Sequence, residues 1–403
     1  MRKIFYLASI LLYSCQAPKL ISYDFPKPVN TSDHRITLQE KRSYHIGELI
    51  IDNQFDGARV SDFYLDTSGY HLLIEPENHP INPSPWYAFR IQSATLDTAT
   101  ILLEYHYAKH RYPPKWSEDG KSWQLLDSTL IMAINDSVIR LTLPLIPNKK
   151  TWIAAQEIEN STSVKSWCET IAGSPDVSFH TFGKSKLGRD LFVLDMGTGS
   201  PENKPIIVLM SRQHPPEVTG FLAMKSFVES LLDDNALASD FLHKYRILVF
   251  PLMNPDGVDL GHWRHNAGGI DLNRDWAYFR QPETRQMAKY VIEVAHKNKA
   301  EVYLGIDFHS TYDDRYYTFE SQLKSSIYRF KDYWLMGIKD RITNYHPKDI
   351  PGGLQQPISK NWFYLQFNAE AITYEIGDNT PRDFIKEKSN VAAKEMMKLL
   401  IFK

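Results

Sequence analysis

His214 and Glu217 are the residues of this sequence with the clearest potential for chemistry. They lie three positions apart, directly after the apolar run 205–210, which reads as a buried strand. Pro215 and Pro216 interrupt helix and strand pairing, so both side chains are expected on a stiff turn at the strand's carboxyl end. Imidazole and carboxylate suit zinc, and a catalytic zinc site needs three protein ligands plus an open position. The pair therefore predicts part of a zinc site whose third ligand lies elsewhere.

The same spacing occurs a second time, at His45 and Glu48. The chain has 14 histidines, so a glutamate three residues after one of them is expected about once by chance. The spacing alone therefore cannot identify a metal site. No cluster of further ligand residues accompanies His45 and Glu48, and we expect this second pair to bind no metal.

Other polar residues with catalytic potential follow later strands of the sequence. The segment after the predicted strand 245–252 carries Arg264, Asn273 and Arg274. The next predicted strand leads directly into His309, and the last one contains Glu375 near its end. Open α/β sheets bind their ligands at the carboxyl ends of the strands, so these side chains are expected on one rim. His309 can supply the missing imidazole.

The composition narrows the class of protein. With 403 residues, the chain exceeds the usual size of a single hydrophobic core, which predicts two domains. Its hydrophobic fraction of 43% and charged fraction of 23% are those of an ordinary soluble globular protein. A net charge of −2 leaves no basic footprint for nucleic acid.

The first 15 residues predict export. Two basic residues precede a short apolar run at 4–12, as in a secretory signal peptide, and this run is too short to span a bilayer. The run ends in Leu-Tyr-Ser-Cys, which resembles the lipobox of bacterial lipoproteins and predicts a lipid anchor on Cys15 in the cell envelope, periplasmic or at the outer surface. A plain secretory signal with an incidental Cys15 is the alternative. The other cysteine, Cys168, is expected to be a buried apolar residue.

The pattern of the chain changes near residue 150. Residues 24–150 carry short alternating or aromatic runs separated by turn clusters, which predicts a small antiparallel β-sandwich. In 160–403, strands alternate with amphipathic helices, which predicts an α/β domain with a doubly wound mixed sheet. The predicted strands of this domain are 192–195, 205–210, 245–252, 302–308 and 371–376, and its predicted helices are 218–232, 283–297, 326–343 and 382–400.

Taken in order, the motifs resemble those of the zinc carboxypeptidases of the carboxypeptidase A type. The matching segments are His-x-x-Glu, Asn-Pro-Asp-Gly followed by Arg, Asp-Leu-Asn-Arg, Asp-Phe-His-Ser and Thr-Tyr-Glu. A Gly-x-Ser-x-x-Gly-Arg segment at 183–189 is also similar, and the resemblance covers about 179–385. The upstream region is similar to the amino-terminal domain of the cytosolic carboxypeptidase subfamily.

The resemblance implies a zinc metallocarboxypeptidase that hydrolyses the carboxy-terminal bond of peptides with a free carboxy terminus. It implies one zinc per chain, held by His214, Glu217 and His309; carboxypeptidase A is itself a standard example of this ligand set. It also implies that Glu375 is the general base, which takes a proton from water and returns it to the leaving amine.

The resemblance also assigns residues that contact the substrate. Arg264 would stabilise the oxyanion of the tetrahedral intermediate. Asn273 and Arg274 would hold the terminal carboxylate, for which a guanidinium offers a bidentate grip.

Two further positions follow from spacing to Glu375 within the family. The residue at the base of the side-chain pocket lies fifteen positions earlier, at Lys360, which would favour acidic terminal residues. An exposed lysine in a loop is the alternative. The tyrosine that closes over substrate would fall at Gly353, so Tyr345 or Tyr364 would have to replace it.

Two other functions stay open from the sequence alone. One is a related amidohydrolase that acts on cell-wall peptides or N-acyl amino acids. The other is a catalytically inactive binding protein in which the sandwich carries the function.

Overall fold

The computed structural model describes residues 19–25 and 34–402 of the chain. The predicted signal peptide and Cys15 lie outside these residues. Within the described part, no helix has both the length and the apolar character needed to cross a membrane.

The amino-terminal strands form two sheets that pack into a β-sandwich. Their order is β1-β2-β5-β11-β7-β8 in one sheet and β3-β4-β6-β10-β9 in the other, with bounds β1 Ser43–Ile46, β2 Leu49–Asp52, β3 Asp62–Asp66, β4 Gly69–Ile74, β5 Ala88–Gln92, β6 Thr98–Tyr105, β7 Lys115–Ser117, β8 Gln124–Leu125, β9 Ile131–Asn135, β10 Val138–Pro144 and β11 Thr151–Ala154. All pairs of these strands are antiparallel except β4 with β6.

Side-chain alternation explains how the sandwich forms. In β6, Ala99, Ile101, Leu103 and Tyr105 are buried, and the residues between them face outward to varying degrees. A strand with this period of two can bury one face against the opposite sheet. The predicted sandwich is confirmed, with one parallel strand pair that the alternation could not reveal.

The rest of the chain builds a mixed sheet between two layers of helices. Its strand order is β12-β13-β15-β14-β16-β19-β17-β18, with bounds β12 Val177–Lys184, β13 Asp190–Met196, β14 Ile206–Ser211, β15 Arg246–Phe250, β16 Val302–Thr311, β17 Arg315–Phe319, β18 Asp349–Gly352 and β19 Glu370–Gly377. The helices are α1 Ser161–Ile171, α2 Val218–Ser230, α3 Ala236–Lys244, α4 Pro255–Asp259, α5 Pro282–Lys297, α6 Phe330–Arg341, α7 Ser359–Phe367 and α8 Arg382–Ile401.

The two faces of this sheet have separate cores. Helices α1, α2, α3, α6 and α8 pack on one face, whose buried cluster includes Cys168, and α5 and α7 pack on the other. The central strands β15, β14, β16 and β19 run parallel and are almost wholly buried. This is the doubly wound mixed sheet that the alternation of strands and helices predicts.

Most element boundaries differ from the sequence prediction by one or two residues, and two boundaries differ by more. Strand β16 continues to Thr311, so His309 lies inside the strand and pairs directly with Glu375 of β19. The helix predicted from 326 begins only at Phe330, because Arg329 adopts a left-handed conformation with φ of 55°. The longer β16 brings a predicted metal ligand beside the predicted base.

The sandwich packs directly onto the rim of the mixed sheet. Trp263, from the segment after α4, is buried within the sandwich core, and its Nε1 donates to the carbonyl of Trp86 at 3.1 Å. Arg111 of the sandwich forms an ion pair with Asp378, which follows β19, at 2.8 Å. The sandwich is therefore in contact with the edge at which the predicted catalytic residues lie.

Candidate active site

His214, Glu217 and His309 form a buried cluster of metal-ligating atoms. One donor atom from each lies within 4.8 Å of the others, and this is the one such group within 19–25 and 34–402. The Nδ1 atoms of the two histidines are 3.2 Å apart. Each also lies close to an oxygen of Glu217, at 2.8 Å from His214 and 2.7 Å from His309. The donors converge on one point, as ligands of a single ion do.

Two further carboxylates fix the orientation of the imidazole rings. The Nε2 atom of His214 lies 3.0 Å from Asp271 Oδ1, and that of His309 lies 2.8 Å from Asp307 Oδ2. A carboxylate at this position accepts the Nε2 proton, which leaves the Nδ1 lone pair free to bind a metal. Two nitrogens and a carboxylate, all oriented inward, fit zinc.

The turn after β14 carries the first two members of this cluster. Arg212 has a positive φ of 56°, which turns the chain sharply after the strand. Burial would raise the pKa of Glu217, but the charges and hydrogen bonds of His214 and His309 hold it well below its usual range. Glu217 therefore remains an anion that can bind a cation.

Glu375 lies beside the cluster on the neighbouring strand. It lines the same cavity, and its Oε2 atom has no hydrogen-bond partner among the described residues. Burial, together with the negative charge of Glu217, raises the pKa of Glu375 to about 7. A carboxyl group of this kind can accept and return a proton near neutral pH.

Arg264 approaches the cluster from the loop after α4. Its Nε donates to Asp271 Oδ2 at 2.9 Å, and its Nη1 lies 3.8 Å from Glu217 Oε1. Asp271 therefore contacts both Arg264 and the ring of His214. The guanidinium faces the cavity beside the metal-ligating atoms.

Asn273 and Arg274 lie on a short 3-10 turn that Asp271 caps by accepting the N–H of Asn273 at 2.9 Å. The side-chain oxygen of Asn273 accepts the N–H of Ser359, at the start of α7, at 3.0 Å. Arg274 Nη1 donates to the carbonyl of Asn273 at 2.7 Å. Both side chains line the cavity and present polar groups to it.

The cavity has a volume of about 850 Å³, and Lys360 lines it from the first turn of α7. Its Nζ donates to the carbonyl of Thr318 at 2.8 Å and lies 4.0 Å from the ring centre of Phe319. Burial lowers the pKa of Lys360 to about 7. Lys360 is thus a buried helical residue and not the exposed loop residue of the alternative interpretation.

Neither tyrosine proposed from the sequence lines this cavity. The hydroxyl of Tyr345 donates to Asp314 at 3.0 Å, and that of Tyr364 contacts the carbonyl of Lys324 at 3.5 Å. Among the described residues, the tyrosine that lines the cavity is Tyr317 of β17. The chain around Gly353 also lines it.

Three sandwich residues in the cavity wall escaped the sequence analysis. Asn82, Ser84 and Arg111 line the cavity together with the sheet residues, and Arg111 Nη1 donates to Ser84 Oγ at 3.0 Å. No motif marks them, because only the packing of the two domains brings them to the site. His45 and Glu48, in contrast, are exposed on the sandwich.

Comparisons with known proteins agree with this geometry. The profile of the zinc carboxypeptidase family matches residues 164–395. An uncharacterised protein of Zymomonas mobilis is 26% identical over 353 residues, which are 81% of this chain and 87% of that protein. Human cytosolic carboxypeptidase 2 is 29% identical over 163 residues, 37% of this chain, and the match spans only 18% of that much longer protein.

Solved structures share the fold over most of the chain. The metallo-carboxypeptidase of Burkholderia cenocepacia has a TM-score of 0.71 at 18% identity, covering 88% of this chain and 98% of that one. The Pseudomonas aeruginosa metallo-carboxypeptidase has a TM-score of 0.67 at 21% identity, covering 87% and 98%. Because the family profile covers more than half of the chain, this protein belongs to the zinc carboxypeptidase family and is a metallopeptidase.

Proposed function

We propose that this metallopeptidase removes the carboxy-terminal residue from peptides, with zinc held by His214, Glu217 and His309. One observation supports this above all: the three metal-ligating residues, Glu375 and the pair Asn273–Arg274 line a single cavity. The cavity therefore combines a metal site, a base and a group that can bind a free carboxylate.

Zinc bound at this cluster supplies Lewis acidity, which polarises a carbonyl group and lowers the pKa of water. Glu375 accepts a proton from the attacking water and passes it to the leaving amine, since no described residue forms a competing hydrogen bond with its Oε2. Arg264 is positioned by Asp271 to stabilise negative charge that develops on the carbonyl oxygen.

Asn273 and Arg274 bind the terminal carboxylate of the substrate. A guanidinium recognises a carboxylate with two parallel hydrogen bonds, and the amide beside it adds another donor. This arrangement explains why hydrolysis is directed to the last peptide bond.

Glu375→Gln tests the assignment of the base. The amide keeps the size of the side chain but cannot accept a proton, so we expect zinc content to be retained and kcat to fall by about 10²–10⁴. The matched control is Glu387→Gln, an exposed glutamate of α8, which should behave as the wild type. Full activity of Glu375→Gln on peptides would contradict the assignment.

We further propose that the enzyme prefers acidic terminal residues. Lys360 lines the cavity near Tyr317 and Thr318, and although burial lowers its pKa to about 7, a bound carboxylate would favour its charged form. An ammonium there attracts a Glu or Asp side chain and repels Lys or Arg. We expect kcat/KM to be at least about tenfold higher for peptides ending in Glu than for those ending in Leu, which corresponds to ~1.4 kcal/mol.

Two variants test this preference. Lys360→Met should remove it and leave hydrolysis of Leu-terminated peptides intact. Lys360→Glu should reverse it toward Lys and Arg. An unchanged preference in both variants would show that another residue reads the side chain.

Export with a lipid anchor on Cys15 remains our proposal for the location of the enzyme. Its support is the signal-like sequence of residues 1–15. Expression of the full chain in a bacterial host should place the protein in the membrane fraction, and Cys15→Ser should release it. A wild-type protein found wholly in the soluble fraction would overturn the anchor.

A further inference from the structure

Glu77 of the sandwich makes an unusual contact with the catalytic domain. It lies between β4 and β5, and its side chain is fully buried. Its carboxylate accepts three consecutive backbone N–H groups of the segment after α4: from Trp263 at 2.7 Å, Arg264 at 3.0 Å and His265 at 2.7 Å. Glu77 of the sandwich therefore binds the backbone of Arg264, whose guanidinium faces the proposed metal site.

A fully buried carboxylate is costly unless hydrogen bonds and charges compensate it. Burial would raise the pKa of Glu77, but the charges of His262, His265 and Arg59 hold it below its usual range. The three N–H donors satisfy the anion in the same way as an anion-binding loop does. The contact is therefore an ordered, charge-assisted one.

The neighbouring contacts restrict the same segment from both sides. Trp263 is anchored in the sandwich core through Trp86. His265 Nδ1 lies 2.8 Å from the side-chain oxygen of Asn78, the residue after Glu77. Between these anchors, the side chain of Arg264 points to Asp271 and Glu217.

We infer that Glu77 is a positioning residue for Arg264, and that the sandwich thereby contributes to the active site. The inference rests on the proposed role of Arg264 in stabilising the oxyanion. That role requires the guanidinium to be held in place before the reaction, because preorganised charge stabilises a transition state most effectively. A displacement of about 1 Å in such a group can cost about 10²-fold in rate.

Glu77→Gln tests this role. The amide has one oxygen instead of two, so at least one of the three N–H groups would face an NH₂ group and lose its acceptor. We expect kcat to fall by about 10- to 10²-fold, with KM changed less than threefold and zinc content unchanged. The control is Glu75→Gln, because Glu75 belongs to the same segment but its carboxylate contacts His106 and not the backbone of 263–265.

A double-mutant cycle separates positioning from a merely structural effect. If Glu77 acts through Arg264, adding Glu77→Gln to Arg264→Ala should cause no further loss of kcat. Wild-type activity of Glu77→Gln, loss of its zinc, or a full additional loss in the Arg264→Ala background would each overturn the inference. If Glu77→Gln does not fold, Glu77→Asp, which keeps the charge but shortens the reach, enters the same cycle.

The double-mutant cycle also tests the proposed role of Arg264 in stabilising the oxyanion. Full activity of Arg264→Ala would refute the proposed role of Arg264 in catalysis, whatever the effect of Glu77. Impaired Arg264→Ala with an additive effect of Glu77→Gln would leave that role intact and refute only the positioning by Glu77.

Discussion

The Nε2 atom of His309 lies 2.8 Å from the Oδ2 atom of Asp307, two residues earlier on strand β16. Gln213 donates to the same oxygen at 2.6 Å, and the hydroxyl of Ser359 donates to it as well. Asp307 is itself buried, so these contacts hold its carboxylate in one place. The carboxylate in turn fixes the ring and the tautomer of a histidine that we propose as a zinc ligand.

Asp307→Asn should therefore weaken zinc binding by about 10- to 100-fold. An amide oxygen is a weaker acceptor of the His309 Nε2 proton than a carboxylate oxygen. The Nδ1 lone pair of His309 is therefore held less firmly toward the metal. Competition with a zinc chelator measures the affinity. The control variants are Asp313→Asn, exposed after the same strand, and His45→Ala in the second His-x-x-Glu, which should both bind zinc like the wild type. Equal affinities of Asp307→Asn and the wild type would contradict the prediction.

Arg274→Lys should reduce kcat/KM on peptides with a free carboxy terminus by about 10- to 10²-fold, since a hydrogen bond to a charged group contributes ~1.5–3 kcal/mol. Lysine keeps the charge but loses the bidentate geometry. Peptides with an amidated terminus should be poor substrates and should not be affected by the change. Arg280→Lys, at a more exposed arginine of the same segment, serves as the control.

An equal loss on free and amidated peptides would show that Arg274 does not read the terminal carboxylate. It would then favour a general effect of Arg274 on the cavity, through its contact with the carbonyl of Asn273.

The sequence predicted the site residues that lie at or just after the carboxyl ends of the strands. His214, Glu217, His309 and Glu375 could be found because the carboxyl ends of parallel strands meet at one edge, and the apolar runs before them mark the strands. Their order along the chain then matched a known family. Local pattern and tertiary structure agree at these positions.

The contribution of the sandwich could not be predicted in the same way. Glu77 and Arg111 lie in loops without periodicity, and they reach the site only because the two domains pack together. Lys360 could be found by counting back from Glu375. Its burial could not be predicted, because α7 begins at Ser359, whose backbone N–H donates to the side chain of Asn273 in a distant part of the sequence. Loop residues that depend on domain packing leave no local signal.

The sandwich should lose stability as pH rises above neutrality, because of His71. Burial would lower the pKa of His71, but hydrogen bonds to Glu104 at 2.7 Å and Asp66 at 3.0 Å outweigh it and raise the pKa above its usual value. A raised histidine pKa contributes stability that is complete below the unfolded value of about 6.5 and is lost as pH rises through the folded value.

The measurement is the Tm of the protein between pH 6 and pH 8.5. The wild type should show a larger decrease over this range than His71→Gln. His45→Gln changes an exposed histidine of the same domain and should keep the wild-type slope. Parallel curves for the wild type and His71→Gln would contradict the prediction.

Gly220 of α2 packs directly against strand β16, which carries His309, a proposed zinc ligand. A Cβ atom at this position would lie 2.5 Å from the carbonyl oxygen of His309, 2.7 Å from its carbonyl carbon and 2.9 Å from its nitrogen. These are backbone atoms of a central strand and cannot rotate away. Gly220→Ala must therefore push α2 and β16 apart.

In an unhindered helix, Ala is more stable than Gly by ~0.5–1 kcal/mol. At Gly220 we expect the opposite sign, a loss of ~1–3 kcal/mol from overpacking, together with weaker zinc binding because His309 moves. The matched control is Gly337→Ala in α6, where the three atoms nearest to an added Cβ all belong to the flexible Glu395 side chain. Urea unfolding and chelator competition measure both effects. If Gly220→Ala is as stable as Gly337→Ala and binds zinc normally, α2 does not hold the metal-ligating strand in the way that this contact indicates.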